Sequence, residues 1–424
     1  MFLATIRFAA HGWIEEMYVE PQFFFSYFGF EWLPRPSEFW TYVLFALTAI
    51  SALMVCLGFR YRLAIVVFFL SFTYVELLDK ANYLNHYYFI SVVAFAMIFL
   101  PAAENFSLDS RRKKVAYEKA PRWAVLMPMV LVGIVYVFAG LAKVNTDWLF
   151  EANPLTIWLP QHVDFPLIGQ LLAWKPTAYI MAWGGAIYDL TIVFFLAYKP
   201  TRRVAFAAVV VFHVLTCALF PIGMFPFIMI GLTTVFFSAH LHRRWLGRVY
   251  FVARDTARFR SEEIPRVSRI APWILVPFLI LQLLLPFRSA LYSSDVHWAE
   301  EGYRFSWRVM LMEKAGHAIF FVKDAEQPGE LEVDLGDHLT ANQIKQLSTQ
   351  PDMILEFAHH LEKVYQARAI PNPEVRAEVW VTLNGEGSKL LIDPQLDLTK
   401  VEVSFAQKDW VLPRSNQSWL TDAK

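Results

Sequence analysis

Cysteine is nearly missing from this chain: Cys56 and Cys217 are the only two in 424 residues, and both lie inside apolar blocks. That excludes a disulfide framework, a zinc site built on paired cysteines and a C-x-x-C redox centre. No G-x-G-x-x-G, P-loop or H-E-x-x-H motif occurs, so dinucleotide, nucleoside-triphosphate and zinc-protease chemistry lack their usual signatures. Charge is scarce as well. Only 18% of residues are charged, against about 25% in an ordinary soluble domain. The 38 Lys and Arg balance 38 Asp and Glu, which leaves no electrostatic case for a nucleic-acid partner.

What takes the place of charge is apolar surface. Hydrophobic residues make up 56% of the chain and aromatics 17%, with a mean hydropathy of +0.37. They gather in blocks close to the roughly 20 residues that cross about 30 Å of hydrocarbon. The blocks predict spans at 39–58, 63–79, 86–102, 123–142, 178–198, 203–220, 222–239 and 271–288. The expected fold is an all-α bundle of eight spans in a lipid bilayer. Ahead of them, "MFLATIRFAA" is too short to cross and lacks the basic start of a signal peptide; it reads as the tail of a truncated first helix. Residues 160–174 read as a short interfacial helix.

Charge distribution orients the bundle. Loops 59–62, 109–122, 199–203 and 240–270 carry 19 Lys and Arg, whereas loops 80–86, 143–177 and 219–222 carry 3. The positive-inside rule puts the first set in the cytoplasm and the second outside. Beyond residue 288 the composition becomes that of a soluble module. "HAIFFV", "AEVWVTL" and "SKLLIDP" predict strands, and residues 340–369 predict helix with a start at Thr340 and a break at Pro351. Two domains are therefore expected, a transmembrane bundle over 1–288 and an extracytoplasmic α+β domain over 289–424. The charged stretch 253–270 reads as a solvated cytoplasmic linker.

Ionisable groups at bilayer depth are expensive and tend to face the bundle interior with a role. Here they are Glu76, Asp79 and Lys80 in "YVELLDK", His86 in "LNHYY", Lys143 after "VYVFAGLA", Asp189 in "AIYDLT" and His213 in "VVVFHVLT". Glu76 and Lys80 are spaced to pair along one helix face, or Lys80 snorkels to the interface. Asp189 and His213 read as interhelical hydrogen-bonding groups or as direct participants. Tyr136, Gly140 and Lys143 share one helical stripe. Gly140 leaves space there for a flat ligand or for another backbone. An amine partly stripped of water gives up its proton readily, so Lys143 reads either as a general base for a lipid-soluble acid or as a snorkelling ammonium. His86 belongs to the same outer layer, as a second acid–base group or as part of an interfacial aromatic belt.

At these residues the sequence resembles the vitamin K-dependent γ-carboxylases and the wider family of horizontally transferred transmembrane (HTTM) domains. The resemblance runs in order through "LLDKANYLNHYYF" (77–89), "FSLD" (106–109), "IVYVFAGLAKVNTDWL" (134–149), "YDL" (188–190), "FHVLTCALFPIGMFPF" (212–227), "YRFSWRVMLMEKAGH" (303–317) and "AEVWVTLNGEGSKLLIDPQLDL" (377–398). It implies that Lys143, in a motif that also holds Asn145, Asp147 and Trp148, deprotonates a reduced naphthoquinone. His86, with Asn85 beside it, is implied in handling a glutamyl carbanion. The chemistry implied is reaction of the quinol with O₂ to a strong base that collapses to the epoxide. That base takes a glutamate γ-proton, and CO₂ adds to the carbanion. The cofactor would be reduced vitamin K of the menaquinol or phylloquinol type, with no metal, and the partner a glutamate-containing peptide or protein.

Arg304, Trp307 and Met310 match a family stretch near the active site. Arg304 or Arg308 would fork onto a substrate carboxylate, or the stretch lies as a strand on the membrane face. The chain ends soon after "KDWVLP", without the large further region of animal carboxylases, so propeptide-guided recognition is not expected. A quinol epoxidase without a glutamate partner, or a non-catalytic quinone-binding or assembly protein, remain as alternatives. A bacterial inner membrane with the soluble module in the periplasm is the expected setting. Nothing in the sequence fixes an oligomeric state.

Overall fold

A computed structural model describes residues 1–117, 119–249, 260–261, 263–265, 268–324, 329–368 and 370–414. Most of the expected linker 253–270 falls outside these residues. The apolar blocks fold as helices where their hydropathy places them. Six are long and apolar enough to cross a membrane: α2 (Glu38–Leu57), α3 (Tyr61–Leu78), α5 (Arg122–Ala142), α6 (Lys175–Ala197), α7 (Arg202–Leu219) and α9 (Ala271–Leu284, continued by a 3-10 turn to Leu291). Two more apolar helices are shorter, α4 (Asn85–Phe99) and α8 (Phe225–Thr233, continued to Phe236). The nine-residue α1 (Phe2–Ala10) lies against α2.

Helix ends follow local chemistry. α2 stops at Gly58, which turns left-handed at φ 61°, and a Cβ there would sit 2.3 Å from the Ser107 Cβ. Only glycine fits. The next helix begins on a carboxylate: Asp109 of "FSLD" accepts from the backbone N–H of Arg60 at 3.0 Å and of Tyr61 at 2.9 Å. That motif is thus a helix cap reaching across 49 residues. α6 starts three residues earlier than expected because Pro176 suits a helical first turn. The expected interfacial helix is instead broken into a 3-10 turn (Leu159–His162) and a five-residue helix (Gly169–Ala173), since Pro160 and Pro166 interrupt it.

Downstream lies a small α+β domain. Strands β1 (Lys314–Asp324), β2 (Glu330–Val333), β3 (Pro373–Leu383) and β4 (Lys389–Leu390) form one antiparallel sheet in the order β2-β1-β3-β4. In β3 every second residue is buried, and Val375, Ala377, Val379 and Val381 meet Ile354, Phe357 and Leu361 of α11 (Pro351–Ala367) in one core. Thr340 caps α10 (Ala341–Leu347) through a capping box with Gln343, and Pro351 opens α11. The β2 strand was not foreseen, because "ELEV" is short and half charged.

The domain's core is completed by the bundle. Phe25 and Ala81 belong to the same apolar cluster as β1, β3 and α11. The seam is polar around them: Gln343 Nε2 donates to Asp79 Oδ2 at 2.7 Å, and Asn342 Nδ2 to Asn82 Oδ1 at 3.1 Å. Lys80 neither snorkels nor pairs with Glu76 as its spacing allowed. It is buried, with its ammonium 3.1 Å from Asp352 and 2.7 Å from Glu356. Asp352 also receives Arg304 at 2.7 Å. Burial disfavours charge on Asp352, but Arg304 and Lys80 outweigh it and hold the carboxyl well below the usual carboxylate range. The Asp352→Ala variant therefore strands Arg304. We expect a loss on the order of 2–3 kcal/mol, low for a broken buried pair because the Asp352 side chain is 30% exposed. Thermal unfolding reads the loss, and an unchanged melting point would refute it.

Candidate active site

A cavity of about 1020 Å³ opens where the outer ends of α3 and α4 meet the domain. Its two halves differ in chemistry. Toward the membrane it is walled by Phe8, Phe45, Phe72, Val75 and Ile90; toward the domain by Lys80, Arg304, Arg308, Lys314, Lys345 and Gln350. His86 stands between them. Its chain neighbour Tyr87 faces the apolar half, and its other neighbour, Asn85, donates to the Arg308 carbonyl at 2.9 Å. The imidazole packs edge-on to Tyr87 at 4.5 Å and has no hydrogen-bond partner among the described residues, so both ring nitrogens are left for a ligand.

The stretch 303–310 is not the strand that one expectation gave it. It is an irregular loop with Phe305, Trp307 and Met310 all in the left-handed region, at φ 63°, 60° and 53°. Such residues cost about 1–3 kcal/mol each and persist where surroundings over-determine them. Here Tyr83 accepts from the Phe305 N–H at 2.8 Å, and Trp307 is buried against Tyr88 and Phe89. Arg304, Arg308 and Met310 reach the cavity wall, whereas Trp307 supports it from behind.

Between the two arginines the geometry discriminates. Arg304 is engaged by Asp352 and Gln350. Arg308 donates to Ser289 Oγ at 3.0 Å; among the described residues it has no carboxylate within ion-pair distance, and its buried Nε has no partner. Burial lowers the pKa of this guanidinium, outweighing the opposite effects of Tyr303 and Asp295.

Lys143 departs from the free amine expected of it. Its ammonium lies 2.7 Å from Asp189 Oδ2 and 3.3 Å from the Ala139 carbonyl, with the Trp148 ring 5.3 Å away. Both partners are buried and Lys143 does not line the cavity. The physical reason is plain: an isolated charge of either sign at this depth would be far costlier than the pair. Asp189 is thus an interhelical partner, as one expectation held, and the outer rim is closed over both. Met310 and Ile222 belong at once to the cavity wall and to the apolar cluster that contains Trp148.

The rest of the motif builds this arrangement. Asn145 caps the turn Thr146–Leu149 by accepting from the Trp148 N–H, and the Trp148 indole donates to the Ala182 carbonyl at 2.8 Å. Asp147 is held from the domain by Asn384 at 2.7 Å and Arg414 at 3.1 Å. Gly140 serves a backbone rather than a ligand: a Cβ there would lie 2.8 Å from the Leu190 N of α6. Tyr136 hydrogen-bonds His213 Nε2 at 2.9 Å inside the bundle. His213 and His86 flank the Phe225 ring, at 5.8 and 6.2 Å between centroids.

Sequence inspection did not foresee the acids of α11 or the role of Arg414. The spacing of "PDMILEFAHH" does place Asp352 and Glu356 on one helical face, which was the available signal.

Comparison with known families agrees with this architecture. Residues 1–241 match the family model of the HTTM domain. Residues 267–417 match that of the vitamin K-dependent gamma-carboxylase, lumenal domain. No solved structure matches the chain. An apolar helical bundle matched over more than half the chain, followed in order by the carboxylase's own extramembrane module, places this integral membrane protein in the HTTM/vitamin K-dependent γ-carboxylase family.

Proposed function

We propose that the protein is a membrane-embedded, naphthoquinol-dependent γ-glutamyl carboxylase with coupled epoxidase activity. The observation that carries this is the two-chemistry cavity with His86 at the junction of its halves. An apolar, aromatic half suits the rings of reduced vitamin K, and a cationic half suits a carboxylate. When bound, the hydroquinone supplies through its reaction with O₂ a base stronger than any side chain. That is required because the γ-carbon is far too weak an acid for groups titrating at about 4–10.

The chain's own residues do the rest. Arg308 receives the glutamyl side-chain carboxylate, since among the described residues its guanidinium has no ion-pair partner and it lines the same cavity as Asn85 and His86. His86 lies within the cavity, where its ring N–H can donate to the carbanion being carboxylated. The Lys143–Asp189 pair takes part as a unit in handling the quinol proton. The apolar walls of the cavity limit the water around the reacting carbon once ligand and peptide fill it. The domain, docked on loops 80–86 and 143–177, lies on the side poor in Lys and Arg, supporting a periplasmic location on a bacterial inner membrane.

Purified protein given reduced vitamin K, O₂, ¹⁴CO₂ and a Glu-containing peptide should yield epoxide and fixed label. Epoxide alone would make it a quinol epoxidase. Neither product would leave a non-catalytic quinone-binding or assembly protein, the alternative that the closed Lys143–Asp189 pair specifically favours. In the same assay Arg308→Ala should raise the peptide KM by about 10–100-fold, the worth of a charged hydrogen-bonding contact. Epoxide formation at low peptide should be little changed. An unaltered KM would remove Arg308 from substrate binding.

A further inference from the structure

The apolar half of the cavity ends on polar groups that no other described residue pairs with. Glu76, in the last turn of α3, faces the cavity with Tyr18 and Tyr87. It lies within electrostatic reach of both hydroxyls. Among the described residues, neither its carboxyl nor the Tyr18 and Tyr87 hydroxyls have a hydrogen-bond or ion-pair partner. Lys80, one turn on, is turned away to Asp352 and Glu356. Three polar groups that share one aromatic-walled recess and face its open space mark a place where a ligand bearing hydroxyls can pair with them.

The surroundings say what kind. Phe8 stacks on Phe45 at 5.6 Å, Tyr18 meets Phe45 edge-on at 5.3 Å, and Phe72 meets Tyr87 edge-on at 5.9 Å. These are aromatic walls, suited to a flat ring system entering from the bilayer. The carboxyl accepts from a ligand hydroxyl, and the tyrosine hydroxyls donate to or accept from a second oxygen.

We propose that Glu76, Tyr18 and Tyr87 hold the hydroxyl-bearing head of a lipid-soluble aromatic diol whose rings lie against Phe8, Phe45 and Phe72. That the diol is a naphthoquinol rests on the function proposed above. The site puts the ligand head in the same cavity as His86 and Arg308, on the side that Tyr87 lines.

The test is equilibrium binding by the full chain in lipid nanodiscs under anaerobic conditions. Reduced menadione is titrated, and Trp13 of the cavity wall reports by quenching. Because Glu76 has no hydrogen-bond or ion-pair partner among the described residues, Glu76→Gln should melt with the wild type while binding about tenfold more weakly. The pair Tyr18→Phe with Tyr87→Phe should lose a similar factor. Wild-type affinity in both variants overturns the site and leaves the proposed function standing. Failure of the wild type to bind either reduced menadione or a reduced benzoquinone overturns both. Preference for the benzoquinol, with the same losses in the variants, keeps the site and overturns the naphthoquinol.

Discussion

Asp189→Asn should abolish epoxide formation as completely as Lys143→Ala, each by about 10²–10⁴-fold, the range lost with an acid–base group. Were Lys143 a free amine acting alone, the asparagine would be tolerated. With the ammonium 2.7 Å from Asp189, the proton-handling unit is the pair, and neither half works without the other. Either single variant also leaves a buried charge unmatched, which costs about 3–5 kcal/mol, so loss of fold must be separated from loss of chemistry. The double variant Lys143→Met with Asp189→Leu does that. It removes both charges, keeps the volume and is expected to restore the melting temperature. Epoxide formation should stay absent. Recovery of activity in the refolded double variant would make the pair a structural strut and remove it from the reaction.

His86→Ala should separate the two half-reactions. Carboxylation is expected to fall about a hundredfold, while epoxide formation stays within roughly a factor of three, since a step that does not use the group is not slowed by its loss. The variant is informative because His86 has no hydrogen-bond partner among the described residues to orphan and lines the cavity. Equal losses in epoxide and in fixed CO₂ would place His86 upstream of both steps. Scintillation counting of the peptide beside chromatography of the quinone products reads both in one tube.

Much of the architecture was written locally. A helix in a bilayer satisfies its own backbone, so an apolar block predicts a span with little reference to the rest of the chain. All eight blocks accordingly fold as apolar helices, but only six, α2, α3, α5, α6, α7 and α9, are long enough to cross, and α4 and α8 are shorter than the spans expected. The capping box at Thr340, the proline at the start of α11 and the alternation of β3 are likewise decided within a few residues. The strand β2 escaped notice because four residues with two charges carry no period.

Site chemistry was less local. His86, Asn85, Arg304, Arg308 and Met310 were picked from the sequence, and the fold gathers them on one cavity. Trp307, Tyr136, His213, Asn145 and Asp147 lie around it instead, in support or in the bundle interior. Spacing allowed a Glu76–Lys80 pair, but a carboxylate pair from α11 outcompetes a single neighbour on the same helix.

Sequence by itself determined that this is a membrane bundle with a small α+β module, and which few ionisable groups must be buried in it. Tertiary structure alone decided their partners: Asp189 reaches Lys143 across 46 residues, Gln343 reaches Asp79 across 264, and Arg308 and Glu76 are left facing one cavity. The reason is energetic. Burying a charge demands compensation from whatever group packing brings within about 3–4 Å, and which group arrives there is set by packing across the whole chain.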